Sequence, residues 1–413
     1  MIVSNGIVLH ISLSPNVQKS DVWRSIRLFF LFWRWKHGDY TARLTKALES
    51  RFGGSVYLTN SGRSALYVAL RGAGVQRGDE VLLQAFSCNA VVNPILWVGA
   101  TPVYCDIEED TYNLSAADVR KKITKRTKVI ILQHTFGISA DIAILQGIAR
   151  QNNILVIEDC AHSLGATHNE KNIGSFGDVA IFSFGRDKVI SSVYGGGVVA
   201  QKQHKEGIET AYKEECSTPS YWWIAQQLLH IPLTFVALKL YRYSIGKVIL
   251  VIAQKTKMLS KAVTSGEKKG EMPAYFPCTL PNSLAAIAFS QFERLSLFNA
   301  HRQNIARLYA DAFSGIAAIA TPRTKQGDIF LRYPIQCDNA ATLIRQAKKR
   351  HIILGDWYKN VIDPVGTDKE KMQYRDGMCP VAEWVAERVV NLPTHIHTTQ
   401  RDAEIIIHLV VTT

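Results

Sequence analysis

The chain has 413 residues, of which 47% are hydrophobic and 20% charged, and its formal net charge is +13. This length allows a large buried core and predicts two domains. The basic residues form short clusters without the motifs or aromatic spacing of nucleic-acid-binding modules, so nucleic acid is not an expected partner. They indicate solvated helix ends and loops; attraction to anionic substrates or membrane lipids is the alternative.

The seven cysteines are scattered along the chain, and none forms a Cys-x-x-Cys pair. Their odd number and spacing predict neither a disulfide framework nor a zinc site, so no metal is expected. Residues 1–14 contain an apolar stretch but lack a basic leader and a clear cleavage site, which argues against a signal peptide. These features predict a cytoplasmic protein.

Short apolar runs alternate with amphipathic segments through the first half of the chain. The pattern predicts strands at 81–85, 101–104, 129–132 and 154–157, and helices at 65–73, 91–98, 115–122 and 142–150. Such alternation predicts a mainly parallel sheet covered by helices on both faces, with ligands at the carboxyl ends of the strands. A helical stretch over 284–313 then leads into a smaller α+β domain.

Three polar residues follow apolar runs at fixed distances. Asp159 ends the run Ile154-Leu155-Val156-Ile157, Ser183 stands in Phe182-Ser183-Phe184, and Lys188 follows five residues later. This is the set that pyridoxal 5'-phosphate (PLP) requires. A lysine binds the aldehyde as a Schiff base, an aspartate keeps the pyridine nitrogen protonated, and a hydroxyl meets the phosphate.

The segment Ser61-Gly62-Arg63-Ser64 opens a predicted helix. Free amides at a helix N-terminus can bind a phosphate, although the segment taken alone favours a simple N-cap with a glycine turn. Together with Asp159 and Lys188, it favours phosphate binding by Gly62, Arg63 and Ser64.

From about residue 57 to residue 200 the chain resembles the DegT/StrS family of sugar aminotransferases. The similarity rests on Ser61 to Leu66, Gly78 to Val81, Gly99 to Val103, Glu158-Asp159 and Ser183 to Lys188, and it continues more weakly at 299–313 and 391–393. It implies an α/β PLP-dependent transferase of fold type I, with a large domain built on a mainly parallel sheet and a smaller C-terminal α+β domain.

The resemblance also implies roles for single residues. Lys188 is the expected catalytic residue, because it binds PLP and then moves the proton between substrate and cofactor. Asp159 is expected at the pyridine nitrogen, His162 near the ring oxygen, Ser183 at the phosphate and Cys88 against the ring, where the family usually has an aromatic residue. A capping role for Asp159 and a structural role for His162 are the alternatives.

The resemblance implies a homodimer that transfers an amino group from glutamate to a nucleotide-linked keto sugar by a ping-pong mechanism. Another PLP reaction, by a lyase or synthase, and a non-catalytic binding subunit are the alternatives. The family's Asn-Tyr-Arg-Met segment, which reaches the partner's phosphate, corresponds to Pro277-Cys278-Thr279-Leu280. That contact across the dimer is expected to be lost or replaced.

Two apolar segments remain. Residues 217–238 contain no charged side chain, the run 248–252 follows, and residues 23–36 combine aromatic and basic side chains. Segments 217–252 and 23–36 are not expected to span a membrane. They predict helices in a membrane interface, or else segments that pack into a dimer contact or cover the active site. The expected organisation is an N-terminal arm (1–40), a large PLP-binding domain (41–275) with an apolar insert at about 210–270, and a small domain (276–413).

Overall fold

The computed structural model describes residues 14–241, 245–256 and 258–413. Residues 1–13 of the expected N-terminal arm lie outside the described residues. So do residues 242–244 of the apolar segment 217–252. Within the described part of the chain the strands are β1 Ser55–Thr59, β2 Glu80–Gln84, β3 Ser87–Cys88, β4 Thr101–Cys105, β5 Thr127–Gln133, β6 Leu155–Asp159, β7 Thr167–His168, β8 Lys171–Asn172, β9 Val179–Ser183, β10 Gly196–Ala200, β11 Tyr333–Gln336, β12 Ile362–Asp363 and β13 Val389–Leu392.

The central sheet has seven strands in the order β1-β10-β9-β6-β5-β2-β4. The five strands from β9 to β4 pair in parallel, whereas β10 pairs antiparallel with both β1 and β9. β10 is therefore the one reversed strand of this sheet. Strand β2 is buried along its whole length, as expected for a parallel strand covered on both faces.

The helices within the same residues follow the predicted alternation. They are α1 Lys19–Phe30, α2 Tyr40–Phe52, α3 Gly62–Gly72, α4 Asn89–Trp97, α5 Ala116–Lys122, α6 Ile142–Gln151, α7 Lys205–Glu215, α8 Tyr221–Lys239, α9 Ile245–Lys255, α10 Asn282–Phe292, α11 Leu295–Phe313, α12 Ala340–Lys349, α13 Pro380–Arg388 and α14 Gln400–Thr412.

The sequence-based boundaries agree with these elements to within about three residues, with one difference. The predicted helical stretch 284–313 is divided into α10 and α11 at Glu293 and Arg294. Asp159 and Ser183 were expected just after two strands. In the structure they are instead the last residues of β6 and β9. Because these strands are neighbours and parallel, their carboxyl ends bring both side chains to the same edge of the sheet.

Three groups of buried apolar side chains hold the fold together. Two lie on opposite faces of the central sheet, and the third joins α11, α12 and α14 to β11 and β13. Helix α10 packs on α2 within the first group. The expected division into an arm and two domains stays a prediction.

The apolar insert folds as two helices on the outside of the first group. Helix α8 packs between α1 and α9, and the Ser25 hydroxyl donates a 2.6 Å hydrogen bond to the Leu228 carbonyl. Helix α9 approaches α8 through Gly246, where an added Cβ would collide with the Ala237 carbonyl. Among the described helices, none has both the length and the apolar composition that crossing a membrane requires.

Candidate active site

A cavity of about 400 Å³ opens at the carboxyl ends of β6 and β9. Seven of the eight residues that the sequence predicts for the cofactor line it: Gly62, Arg63, Cys88, Asp159, His162, Ser183 and Lys188. They come from four separate stretches of chain, so only folding brings them together. Ser64, the eighth residue, is not among the lining residues.

Lys188 lies in the loop between β9 and β10, where the chain leaves the sheet and returns in the opposite direction. Its Nζ is 3.0 Å from Nε2 of His162 and 3.9 Å from a carboxylate oxygen of Asp187. The Asn16 side chain donates to the Lys188 carbonyl, which ties the loop to the start of the N-terminal arm. The amine is thus held inside the cavity.

Asp159 is 5% exposed, and its Oδ1 accepts a 3.0 Å hydrogen bond from the amide of Ala161. Burial raises the pKa of this carboxyl, while the Ala161 amide and Lys188 oppose the increase. A buried carboxylate is costly without a cationic partner, and a protonated pyridine nitrogen would supply one. The neighbouring Glu158 has a different role, because it accepts hydrogen bonds from the amides of Gly174, Phe176 and Gly177.

The His162 ring lies nearly parallel to the rings of Phe136 and Tyr358, with centroids 6.1 and 6.2 Å away. The Phe136 amide donates to Nδ1 at 3.3 Å, so a neutral His162 carries its proton on Nε2. Burial lowers the pKa of His162 well below its usual value, and the charges of Lys188 and Arg332 lower it further. His162 is therefore a neutral imidazole whose Nε2 proton faces Lys188, where only the neutral amine of Lys188, and not its ammonium form, can accept it.

The start of α3 and the end of β9 form the predicted phosphate site. A Cβ on Gly62 would lie 2.9 Å from Cβ of Ser183, so only glycine permits this approach. The Ser61 hydroxyl caps the helix by accepting from the Ser64 amide at 3.0 Å, and the Ser64 hydroxyl donates to Asn60 Oδ1 at 2.7 Å. The Ser64 side chain therefore serves the cap, while the first-turn amides have no partner within the helix.

The segment 259–267, which follows α9, forms a wall beside this phosphate site. Arg63 pairs with the buried Glu267 and donates to the Ala262 carbonyl at 2.9 Å. Arg186 donates to the Ser260 hydroxyl at 2.6 Å. Both guanidinium groups lie over the Tyr194 ring, at 5.9 and 5.5 Å from its centroid. The apolar insert is thereby tied directly to the site.

The position expected to face the cofactor ring holds Cys88, which is one of the residues lining the cavity. Burial raises the pKa of the Cys88 thiol, which favours an apolar packing surface. Phe86, two residues earlier, is fully buried and packs against Tyr112, Phe136 and Tyr358. It does not take the place of a ring-stacking aromatic residue.

Sequence reasoning missed the cavity residues Gln133, Arg186, Asp187, Arg332, Trp357 and Tyr358. Arg332, Trp357 and Tyr358 are at least 140 residues from Lys188 in the chain, and no local pattern marks them. Asp187 is the direct neighbour of Lys188 in the sequence, so adjacency could have marked it. Burial would raise its pKa, but Lys188 and Arg332 lower it below the usual range.

These residues fit PLP. Asp159 is a buried carboxylate that needs a cation, Gly62 leaves room at a helix N-terminus, and Nε of Arg186 is buried with no partner in the described part of the chain. Asp159 would hold the pyridine nitrogen. Gly62, Arg63 and Ser183 would hold the phosphate, and Lys188 would hold the aldehyde carbon.

A protein-family model described as the DegT/DnrJ/EryC1/StrS aminotransferase family matches residues 33–222 and 252–411. The unmatched stretch between them holds most of α8 and the first half of α9. The family model therefore leaves most of the two helices of the apolar segment unmatched.

Two named relatives are sugar-modifying enzymes. A UDP-N-acetyl-3-dehydro-alpha-D-glucosamine 3-aminotransferase of Acidithiobacillus ferrooxidans is 28% identical over 81% of this chain and 77% of that protein. A GDP-perosamine synthase of Vibrio cholerae is 27% identical over 62% of this chain, which matches 58% of the length of that enzyme.

Solved structures share the fold. A putative sugar aminotransferase from Streptococcus pneumoniae in its PMP form superposes with a TM-score of 0.76 at 21% identity, over 96% of this chain and 95% of that chain. Helicobacter pylori PseC, an aminotransferase involved in the biosynthesis of pseudoaminic acid, gives 0.73 at 19% identity, over 98% of each chain. The predicted α/β aminotransferase fold is confirmed, and the chain belongs to the DegT/DnrJ/EryC1/StrS aminotransferase family.

Proposed function

We propose that this protein is a PLP-dependent aminotransferase that moves an amino group from glutamate to a nucleotide-linked keto sugar. The observation that carries the proposal is the convergence of Lys188, Asp159 and Ser183 at one cavity beside the first turn of α3. The nucleotide-linked acceptor is supported by the relatives whose names specify UDP- and GDP-linked sugars.

PLP, when bound, supplies an aldehyde that takes up the amino group and a ring that withdraws electrons from the reacting carbon. Asp159 keeps a positive charge at the ring nitrogen, which makes that withdrawal effective. Lys188 would hold the aldehyde carbon and would carry the proton as general base and acid. His162, whose Nε2 lies 3.0 Å from Lys188 Nζ, would donate its Nε2 proton to the ring oxygen.

Donor and acceptor use the same cavity in turn, since the amino group leaves one substrate before the other enters. This is a ping-pong cycle with two separable half-reactions. The cavity walls supplied by Tyr358 and by segment 259–267 reduce access of water, which would otherwise compete for the reactive carbon.

The test is spectroscopic. Purified protein loaded with PLP should lose the visible absorbance of the bound aldehyde when glutamate is added, and a nucleotide-linked keto sugar should restore it. Mass spectrometry of the sugar product identifies the acceptor. Bound PLP whose spectrum stays unchanged with every amino donor would contradict the proposal and favour a non-catalytic relative.

The enzyme is further proposed to be a cytoplasmic homodimer. Homodimer formation is what the family resemblance implies, and all seven cysteines carry free thiols, as is usual in a reducing compartment. Sedimentation velocity of the PLP-loaded protein tests the assembly. A monomer at micromolar concentration with full activity would contradict it.

We also propose that segments 23–36 and 217–252 make peripheral contact with an anionic membrane. Trp23, Phe30, Phe32, Trp33 and Trp222 are each more than half exposed, as are four apolar residues of α9: Ile245, Val248, Val251 and Ile252. Interfacial helices bind membranes through such apolar faces combined with basic residues.

The charge pattern favours lipid over a second copy of the chain on this surface. From residue 217 to residue 266 the sequence contains no Asp or Glu and six Lys or Arg residues. A symmetric contact would bring two such positive segments together, whereas anionic lipid headgroups complement them.

A further inference from the structure

Arg332 lines the active-site cavity although it is only 2% exposed. It lies just before β11, and Trp357 and Asp187 hold it from two other parts of the chain. Its guanidinium carbon lies 3.6 Å from the Trp357 ring centroid, and Nη2 donates a 2.7 Å hydrogen bond to Asp187 Oδ2. The guanidinium group is therefore fixed in position.

Two of the three guanidinium nitrogen atoms of Arg332 have no hydrogen-bond partner within the described residues. Within the described residues, Nε and Nη1 of Arg332 are buried and donate to no acceptor. Donors left unsatisfied in this way are costly, and the cost is greater for a charged group. Their place in a substrate cavity indicates that a ligand completes them.

Arg332 is also near the reacting centre. The Asp187 carboxylate that binds Arg332 has its other oxygen 3.9 Å from Nζ of Lys188, so one carboxylate lies between two cationic side chains. Asp159 and Asp363 line the same cavity, so the argument for a ligand rests on the two unpartnered nitrogen atoms of Arg332 and not on net charge. A substrate anion that accepts from these nitrogen atoms would lie close to Lys188.

We propose that Arg332 binds a carboxylate of the amino donor, and this inference rests on the proposed function. A guanidinium group matches a carboxylate in shape and charge, and it retains its charge when buried. An amino-acid donor carries its carboxylate close to the amino group that reacts beside Lys188. A nucleotide-linked sugar carries its charge on the diphosphate, which lies beyond the sugar ring from the reacting ketone.

The experiment separates the two half-reactions of the PLP-loaded enzyme. Arg332→Gln and Arg332→Lys are compared with the wild type for reaction with glutamate, and then, in the aminated form, for reaction with a keto acceptor. The Michaelis constant for glutamate should rise on the order of 10- to 100-fold in Arg332→Gln, with a smaller rise in Arg332→Lys, because charged hydrogen bonds are lost. The acceptor half-reaction should stay within about twofold of the wild type.

Arg323→Gln is the matched control. Arg323 is half-exposed, pairs with Asp110 and lies outside the cavity. The same substitution there should leave both half-reactions unchanged. Thermal unfolding and the PLP spectrum establish that each variant folds and binds the cofactor.

A second measurement needs no catalytically competent variant. Glutarate, which has two carboxylates and no amino group, should compete with glutamate for the wild-type enzyme, whereas the uncharged glutaramide should not. Equal inhibition by the two compounds would overturn the inference.

If Arg332→Gln impaired the acceptor half-reaction and left the donor half-reaction unchanged, the inference would also be overturned. Arg332 would then bind an acidic group of the sugar acceptor. Wild-type enzyme that reacts with glutamate keeps the proposed function intact in either case. Wild-type enzyme that never reacts with an amino donor would reject the proposed function itself.

Discussion

Nε2 of His162 lies 3.0 Å from Nζ of Lys188 and 3.4 Å from the hydroxyl of Tyr358. These three groups come from the loop after β6, the loop after β9 and the C-terminal part of the chain. Because Nδ1 accepts from the Phe136 amide, the proton of neutral His162 faces the other two groups. The lysine head therefore has a hydrogen-bonding partner at the point where the ring oxygen of PLP is expected.

Lys188→Ala should abolish turnover while leaving the fold intact. The substitution removes the group that holds the cofactor and the group that moves the proton, so the rate should fall roughly a thousandfold or more. Transamination rates and circular dichroism of the variant check this. Near-normal turnover would show that another residue carries the reaction.

Asp159→Asn should still bind PLP but react slowly with glutamate. An amide cannot hold a positive charge at the ring nitrogen, and the loss of that stabilisation should slow the proton-transfer step on the order of 100- to 1,000-fold. Stopped-flow absorbance after mixing with glutamate measures the step. If the rate matched the wild type, Asp159 would be a capping residue only.

His162 should make folding stability depend on pH. Its folded-state pKa lies well below the unfolded value, so below pH 6.5 the unfolded chain binds a proton that the folded chain does not. Stability is therefore complete above about pH 6.5 and decreases as the pH falls from there towards the folded-state pKa, by up to about 1.4 kcal/mol per pH unit.

His162→Gln removes this proton while retaining hydrogen-bonding groups. The decrease in free energy of unfolding between pH 7 and pH 5.5 should be smaller in this variant than in the wild type. Urea unfolding of the cofactor-free protein at both pH values measures the difference. An identical decrease in both proteins would assign the acid sensitivity to other groups.

The exposed face of α9 should bind anionic vesicles. Flotation with vesicles containing phosphatidylglycerol should recover the protein at low salt and less of it at high salt, because ions screen the basic residues. Neutral phosphatidylcholine vesicles should recover less at either salt concentration.

Val248→Ser together with Ile252→Ser removes two of the exposed apolar contacts and should weaken this binding. Ala253→Ser, at a buried position on the opposite side of α9, is a control for helix folding, assessed by circular dichroism. Protein that stays in the soluble fraction under every condition, with α9 protected from proteolysis only as a dimer, would show that the face is a subunit contact.

The local pattern of residues was enough to predict β2, β4, β5 and β6 of the central sheet and the strand end that carries Asp159. Apolar runs of four or five residues marked β2, β5 and β6, since strands buried on both faces must be apolar throughout. Asp159 interrupts such a pattern at a strand end, where parallel topology gathers ligands. Lys188, Ser183 and Gly62 followed from spacing and from the family resemblance.

Other features depended on contacts that spacing cannot specify. Arg332, Trp357 and Tyr358 reach Lys188 only after the C-terminal part has packed on the large sheet, and the pairing of Arg63 with Glu267 joins positions 204 residues apart. Spacing also could not show that the Ser64 hydroxyl donates to Asn60 at the helix start and does not reach the cavity. Nor could it show that Phe86 is buried among other aromatic rings.

The sequence alone thus determined the order of strands and helices and the groups that a cofactor needs, because periodicity and side-chain chemistry are local properties. The tertiary structure decided which distant side chains complete the cavity and which apolar face of the insert stays exposed. Those outcomes depend on how whole elements pack, and packing is settled by shape and burial across the entire chain.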